Sequence, residues 1–218
     1  MPIDYKKTEK DLYQPKPTPS IIDVPEMTFI AIDGKGDPNI SDDYKAALEV
    51  LYGLSYSIKM SKVGSNASAG YFEYIVPPLE GFWNTDDVFF QGGGASIPDK
   101  GKFKWTSVIR QPEFVTIEVF DMAKTALAKK KPGIKTDKAR LMKYTEGLCV
   151  QVMHIGSYDD EPAIIAAMDK FATDNGYAID INEIRRHHEI YLSDPRKTAP
   201  EKLKTVIRHP IKMIEDDA

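Results

Sequence analysis

Glu189 stands in the middle of the strand-like run His187-His188-Glu189-Ile190-Tyr191-Leu192. Side chains alternate along a strand, so His187, Glu189 and Tyr191 share one face and His188, Ile190 and Leu192 the other. A carboxylate beside a phenol on a sheet face is either solvated on an open surface or lines a pocket. In a pocket it can serve as a general base or as the counter-charge of a cation. The residues alone leave both readings open. Trp83 and Trp105 are the only tryptophans, and Tyr71, Phe72, Tyr74 and Phe82 crowd around Trp83. Aromatic clusters belong more often to cores than to cages. This one flanks Pro77-Pro78 and a Glu80-Gly81 turn, where a strand is expected to leave the sheet, and that favours a pocket wall. Flat rings stack on flat polycycles and attract cations over their faces.

Other chemistries find little support. The adjacent pair His187-His188 points to opposite faces and cannot chelate one metal, while His154 and His209 stand alone. No ligand spacing such as His-Glu-x-x-His occurs, so no metal site is expected. Gly92-Gly93-Gly94 lacks the Lys-Ser/Thr of a phosphate loop and does not open a helix. No Ser-His-Asp or Cys-His constellation is visible, and Cys149, between Leu148 and Val150, reads as a small buried residue. Glu113 and Glu161 read as helix-start residues, and Lys129-Lys130-Lys131 as the basic end of a helix. No cofactor is expected.

The elements that must position these residues follow from pattern. Residues 1–20 are polar and proline-bearing and read as an arm on the surface. A strand over 27–32 leads through a Gly-containing turn to a helix capped by Ser41 or Asp42, with Tyr44, Leu48, Leu51, Tyr52 and Ser55 on one stripe. Residues 64–70 and 84–102 read as loops, 71–76 and 103–109 as strands. A helix over 116–131 connects to a hairpin of 139–144 and 148–155 broken at Glu146-Gly147. A helix over 159–174 and strands over 187–192 and 203–207 complete the chain.

With 218 residues, 42% hydrophobic and 28% charged, the chain can bury one sizeable core. A net charge of −4 gives no electrostatic case for nucleic acid or an anionic membrane. There is no apolar run of bilayer length and no apolar leader, and one cysteine excludes an internal disulfide. A cytoplasmic monomer or homodimer is expected.

The chain also repeats itself. Lys104-Trp105-Thr106-Ser107-Val108-Ile109-Arg110-Gln111-Pro112 parallels Lys202-Leu203-Lys204-Thr205-Val206-Ile207-Arg208-His209-Pro210. Each follows a strand, a helix and a further strand. The expectation is an α+β fold: tandem βαββ repeats in one antiparallel sheet, with helices on one face and a concave ligand groove on the other. Residues 1–218 then form a single domain, with an arm over 1–21, a first repeat over 22–112, a connecting helix and strand over 113–147, and a second repeat over 148–211.

The stretches Ile22-Asp23-Val24-Pro25, Ile32-Asp33-Gly34-Lys35-Gly36-Asp37-Pro38-Asn39, Leu79-Glu80-Gly81-Phe82-Trp83, His154-Ile155-Gly156-Ser157-Tyr158-Asp159-Asp160-Glu161 and His188-Glu189-Ile190-Tyr191-Leu192-Ser193-Asp194-Pro195 resemble the GyrI-like small-molecule-binding family. The resemblance runs from about residue 22 to 211. It implies an eight-stranded tandem βαββ sheet with a central groove, and a small-molecule partner such as a polycyclic or cationic xenobiotic. Family members include gyrase-inhibitory proteins and the effector domains of multidrug-sensing activators; the polar start of this chain is too short to hold a helix-turn-helix before it. One stand-alone subfamily hydrolyses the cyclopropyl group of DNA-alkylating natural products. The resemblance therefore implies a groove with Glu189 and Tyr191 as catalytic residues and Trp105, Trp83, Tyr74, Phe72, Phe82, His187 and Tyr158 around the ligand. It leaves three functions open: cyclopropane hydrolysis, sequestration of toxins or cationic drugs, and docking on a large enzyme such as gyrase.

Overall fold

The computed structural model describes residues 1–62, 68–85 and 99–214. The triple glycine at 92–94 and most of the 64–70 loop lie outside the described residues. Two single-turn helices, α1 (Tyr5–Thr8) and α2 (Lys10–Tyr13), precede β1 (Ser20–Lys35). Then come α3 (Asp42–Lys59), β2 (Leu79–Asn84), β3 (Lys104–Gln111) and α4 (Ile117–Lys130). The chain continues through β4 (Arg140–Ile155), α5 (Glu161–Asp174), β5 (Tyr177–Ile179), β6 (His187–Tyr191) and β7 (Lys204–Met213).

All strand pairings are antiparallel, in the order β4-β1-β3-β2-β6-β7-β5, and β4 pairs with β7 as well. The sheet therefore curls into a barrel. Closure comes from the 16-residue lengths of β1 and β4, each of which offers both edges to neighbours. The expected hairpin at Glu146-Gly147 is continuous strand. Gly147 has φ +69°, a left-handed conformation that suits glycine, so the residue that reads as a turn is a bend inside β4. The expected strand over 71–76 is likewise absent: only Tyr74 forms a bridge, with Ile3, and β2 begins after Pro77-Pro78, which cannot donate to a ladder.

Three long helices cover one face of the sheet. Ser41 caps α3 by accepting from the Tyr44 N–H at 3.2 Å, and Thr116 caps α4. Leu51, Leu54 and Ile58 of α3 pack with Ile30, Trp105 and Ile109, and α4 adds Phe120 and Leu127. Met168 and Ala172 of α5 pack with Val150, Val152, Ile207 and Ile211. Tyr52, expected on the buried stripe of α3, is partly exposed, and Ala47 and Val50 take its place inside.

The opposite face buries Phe29, Phe82, Val108, Ile190 and Val206 against Leu12 and Tyr13 of the N-terminal arm. The arm is thus part of the core and not a surface strap. Arg208 donates to the Leu12 carbonyl, the Gln151 amide donates to the Asp11 carbonyl at 2.7 Å, and Arg110 holds Glu9 at 2.6 Å. Its few apolar residues were hidden by polar composition. No helix of the described residues is long and apolar enough to cross a membrane.

Candidate functional site

Glu189 lies on β6 opposite Gly81 of β2 and Ile207 of β7. Ile207 packs beneath α5, so Glu189 is on the helix-bearing face and not on the face across from the helices. His187 and Tyr191 share this face, as alternation requires. Both carboxylate oxygens are held: the Tyr191 hydroxyl donates to Oε2 at 2.7 Å, and His187 Nε2 is 2.8 Å from Oε1. The Trp83 indole N–H in turn donates to the Tyr191 hydroxyl at 2.9 Å. Gly81 makes this contact feasible, because a Cβ there would meet Trp83 Nε1 at 2.6 Å and the Tyr191 hydroxyl at 3.2 Å.

Aromatic rings arrive from α3 and from the turn before α5. Tyr44 of α3 meets Trp105 edge-on at 5.0 Å and Trp83 at 6.2 Å between centroids. Tyr158, in the turn before α5, meets Tyr191 edge-on at 6.0 Å. Glu161, the first residue of α5, adds a second carboxyl, buried with Oε1 unpartnered among the described residues. The Glu189 side chain keeps 13% of its surface open, against 1% for His187 behind it.

Electrostatics tie these groups together. Burial, then the charge of Glu189, pushes the Tyr191 hydroxyl far above its usual range and Tyr158 up to about 12. Burial and then Glu189 also raise Glu161 well above the ordinary carboxyl value, against a smaller opposing pull from Lys100. Among the described residues no lysine or arginine pairs with Glu189, and no group of His, Cys, Asp or Glu is placed to hold a metal. The arrangement is an oriented carboxyl and a second carboxyl of raised pKa set among tyrosine and tryptophan rings.

The structure thus brings together Glu189, Tyr191, His187, Trp83 and Tyr158, with Trp105 reached through Tyr44. Phe82 is elsewhere: it faces the opposite side of β2 and stacks on His188 at 4.2 Å. Tyr74 and Phe72 pack on Phe114 in an aromatic group with Tyr71, following a segment that is not a strand. Sequence reasoning missed Tyr44, which reads as a core residue of its helix, and Glu161, which reads as dipole chemistry. It also took His209 as isolated, whereas His209 Nε2 is 2.7 Å from His187 Nδ1. Repeat alignment offers a signal for His209, since it replaces Gln111 of the first copy. Glu113 lies ahead of α4 and pairs with Arg110. A separate surface cavity of about 450 Å³, lined by Glu26, Thr28, Arg110 and Lys143 among others, has its charges paired with one another or with the arm.

The family profile of the GyrI-like small molecule binding domain matches residues 110–212. Among curated proteins no match is found. An uncharacterized conserved protein from Listeria innocua is 47% identical, with a TM-score of 0.89 over 96% of this chain and 100% of that one. A hydrolase from Listeria innocua is 45% identical, with a TM-score of 0.87 over 96% and 100%. The C-terminal domain of EcmrR shares the fold at 11% identity, with a TM-score of 0.51 over 90% of this chain and 98% of that one. The chain belongs to the GyrI-like small molecule binding domain family.

Proposed function

We propose that this protein binds planar or amphipathic xenobiotics in an aromatic cage around Glu189 and hydrolyses the cyclopropyl group of DNA-alkylating cyclopropanoid natural products. The observation that carries the reading is the setting of Glu189: both oxygens are oriented, Tyr44, Tyr158 and Tyr191 lie about it, and among the described residues no lysine or arginine pairs with it. The relation to a hydrolase at 45% identity supports it. The reading includes two βαββ repeats that frame the cage. Their support is register: Val108 and Ile109 face Ala31 and Ile30 as Val206 and Ile207 face Met153 and Val152.

In this mechanism the polycycle stacks among the rings and Glu189 removes a proton from water. The water oxygen bonds to the unsubstituted cyclopropane carbon. The ring C–C bond breaks, and its electrons pass through the conjugated ring to the carbonyl oxygen, which becomes a phenolate as the ring aromatises. Glu161 is the acid at hand to protonate that oxygen, and Glu189 then returns its proton to Glu161, so the net reaction is addition of one water. The Tyr191 hydroxyl is already committed to Glu189 and Trp83, and orients the base. Strain release drives the reaction, so positioning and base assistance suffice.

The test is incubation with a cyclopropane-bearing alkylator, with mass spectrometry of the water adduct. Glu189→Gln should still bind while turnover falls roughly 10²–10⁴-fold, the contribution of a positioned base. A wild-type protein that forms no adduct above the background rate would sink the hydrolase reading. The charge of Glu189, with no lysine or arginine partner among the described residues, also favours cation sequestration as a second reading. In that case Glu189→Gln weakens binding of a planar cation and there is no turnover to lose.

A further inference from the structure

A line of buried polar groups leads from Glu189 to the underside of α5. Asp169 Oδ1 lies 2.6 Å from His209 Nδ1, His209 Nε2 lies 2.7 Å from His187 Nδ1, and His187 Nε2 lies 2.8 Å from Glu189 Oε1. Both histidines are completely buried. They come from different strands, His187 opposite Trp83 and His209 opposite Val150, while Asp169 comes from a helix. Burying ionisable groups is costly unless each is paired, so a purely structural core would favour apolar side chains at these positions.

We propose that His187, His209 and Asp169 are positioning residues that form a buried proton relay holding Glu189 as an oriented carboxylate. This rests on Glu189 being the working carboxylate of the site proposed above.

Counting hydrogens gives the argument. An ionised Asp169 only accepts, so His209 Nδ1 carries a hydrogen. One hydrogen serves the contact between the two rings, and one serves the contact between His187 and Glu189. With His187 kept neutral by its burial, three hydrogens on three contacts can be arranged in two ways. In the first, His209 is an imidazolium against the Asp169 carboxylate, and neutral His187 donates its Nε2 hydrogen to anionic Glu189. In the second, the middle hydrogen sits on His187 Nδ1 and the outer one on Glu189, leaving His209 neutral. Passing from the first to the second breaks the Nε2–H bonds of His209 and His187 and forms His187 Nδ1–H and Glu189 Oε1–H. No proton enters or leaves. Glu189 is a base in the first arrangement and an acid in the second, and the Asp169 charge favours the first by stabilising the imidazolium. Burial lowers the His187 pKa, in keeping with a neutral ring in both arrangements. Among the described residues the groups facing Glu189 from the packed elements are Tyr44, Tyr158, Glu161 and Tyr191, with Lys100 acting on Glu161.

The test begins with the intact protein carrying ¹⁵N-labelled histidine, whose long-range proton–nitrogen spectra report each ring's protonation. The relay requires His209 with both nitrogens protonated at neutral pH and His187 with hydrogen on Nε2 alone. Asp169→Asn should abolish the His209 signature. It should also move the acid limb of the hydrolysis rate to higher pH, with KM within about twofold of wild type, because only the charge of Glu189 has changed. His187→Gln, which keeps an N–H for Glu189, should retain at least about tenfold more kcat than His187→Leu. A wild-type His209 that is neutral at pH 7, or an Asp169→Asn variant with unmoved spectra and pH limb, overturns the relay. The wild-type spectra decide the matter even if a variant fails to fold. Should those spectra show the relay while no water adduct forms, the hydrolase reading fails alone. The Asp169 effect is then sought in the pH dependence of ethidium binding.

Discussion

A carboxylate becomes a functional group through its neighbours, and Glu189 shows how few are needed. Tyr191 and His187 each fix one oxygen, so the carboxyl is held in place without a lysine or arginine partner among the described residues. Its charge falls on Glu161, and burial and repulsion together leave that carboxyl protonated when an ordinary one is not. Perturbed groups of this kind cluster at working sites. The consequence for stability has a definite sign. The folded-state pKa of Glu161 lies above its ordinary value of 4.5, so the folded state binds this proton more readily than the unfolded chain. Its favourable contribution is complete below about pH 4.5 and is lost as pH rises through the folded value. Glu161→Gln imitates the neutral acid. Its thermal midpoint should therefore gain on wild type as pH rises from about 5 to 9, measured by circular dichroism. A difference between the two proteins that stays flat across that range would show that Glu161 is ordinary. In the proposed reaction the same variant loses its proton donor, so adduct formation should fall while stability rises.

At the scale of elements, the site depends on strands that let large rings pass over small residues. Gly34 of β1 faces Trp105 of β3, and a Cβ at Gly34 would lie 2.2 Å from the indole ring. Gly34→Ala must therefore displace Trp105 and, through their edge contact, Tyr44. Overpacking of this kind costs typically about 1–3 kcal/mol, and here it should weaken ligand binding as well, read by chemical denaturation and by titration of a planar ligand. Gly81→Ala tests the neighbouring contact, because its Cβ would intrude on the Trp83–Tyr191 hydrogen bond. The expectation is a milder loss of stability and a clear loss of turnover. An unaltered affinity and rate in both variants would mean that the cage lies elsewhere.

These elements also show what the sequence could and could not reveal. Period-2 alternation placed His187, Glu189 and Tyr191 on one face without error, and capping chemistry located α3, α4 and α5 to within a few residues. Phe82 adjoins Trp83 in sequence, yet alternation along β2 sends it to the opposite face, where it stacks on His188. The pattern around Tyr74 suggests a strand ending at Pro77-Pro78, whereas the strand of the structure starts after these prolines, at Leu79. Tyr44 and Asp169 were illegible for another reason. Their meaning depends on which strand lies below their helix, and no local pattern records that.

For the molecule as a whole, the side of the sheet opposite the helices holds a second polar network, and it ties the arm to the barrel. His188 is held between Glu146 at 3.0 Å and Glu80 at 3.0 Å, Arg208 approaches Glu146 at 3.5 Å, and Tyr13 of the arm donates to Glu80. Burial alone would lower the His188 pKa, but Glu146 and Glu80 outweigh it and raise it to about 9. Burial would raise Glu146, but His188 and then Arg208 bring it down to about 2. The signs differ. His188 contributes stability that is complete below its ordinary 6.5 and is lost as pH rises through about 9. Glu146 contributes stability present above its ordinary 4.5 and lost as pH falls toward about 2. The network should therefore support the fold most strongly between these two ordinary values, a window set by one histidine and one glutamate. Glu146→Gln leaves His188 and Arg208 without their shared anion, and breaking a buried pair in this way costs about 3–5 kcal/mol. The deficit against wild type should be largest inside the window and should shrink toward both extremes, measured by urea denaturation across pH. A deficit that is small, or independent of pH, would mean that the network is worth little and that the arm is held by apolar packing of Leu12 and Tyr13 alone. In that case removal of the arm residues, and not neutralisation of Glu146, would be the change that opens the barrel.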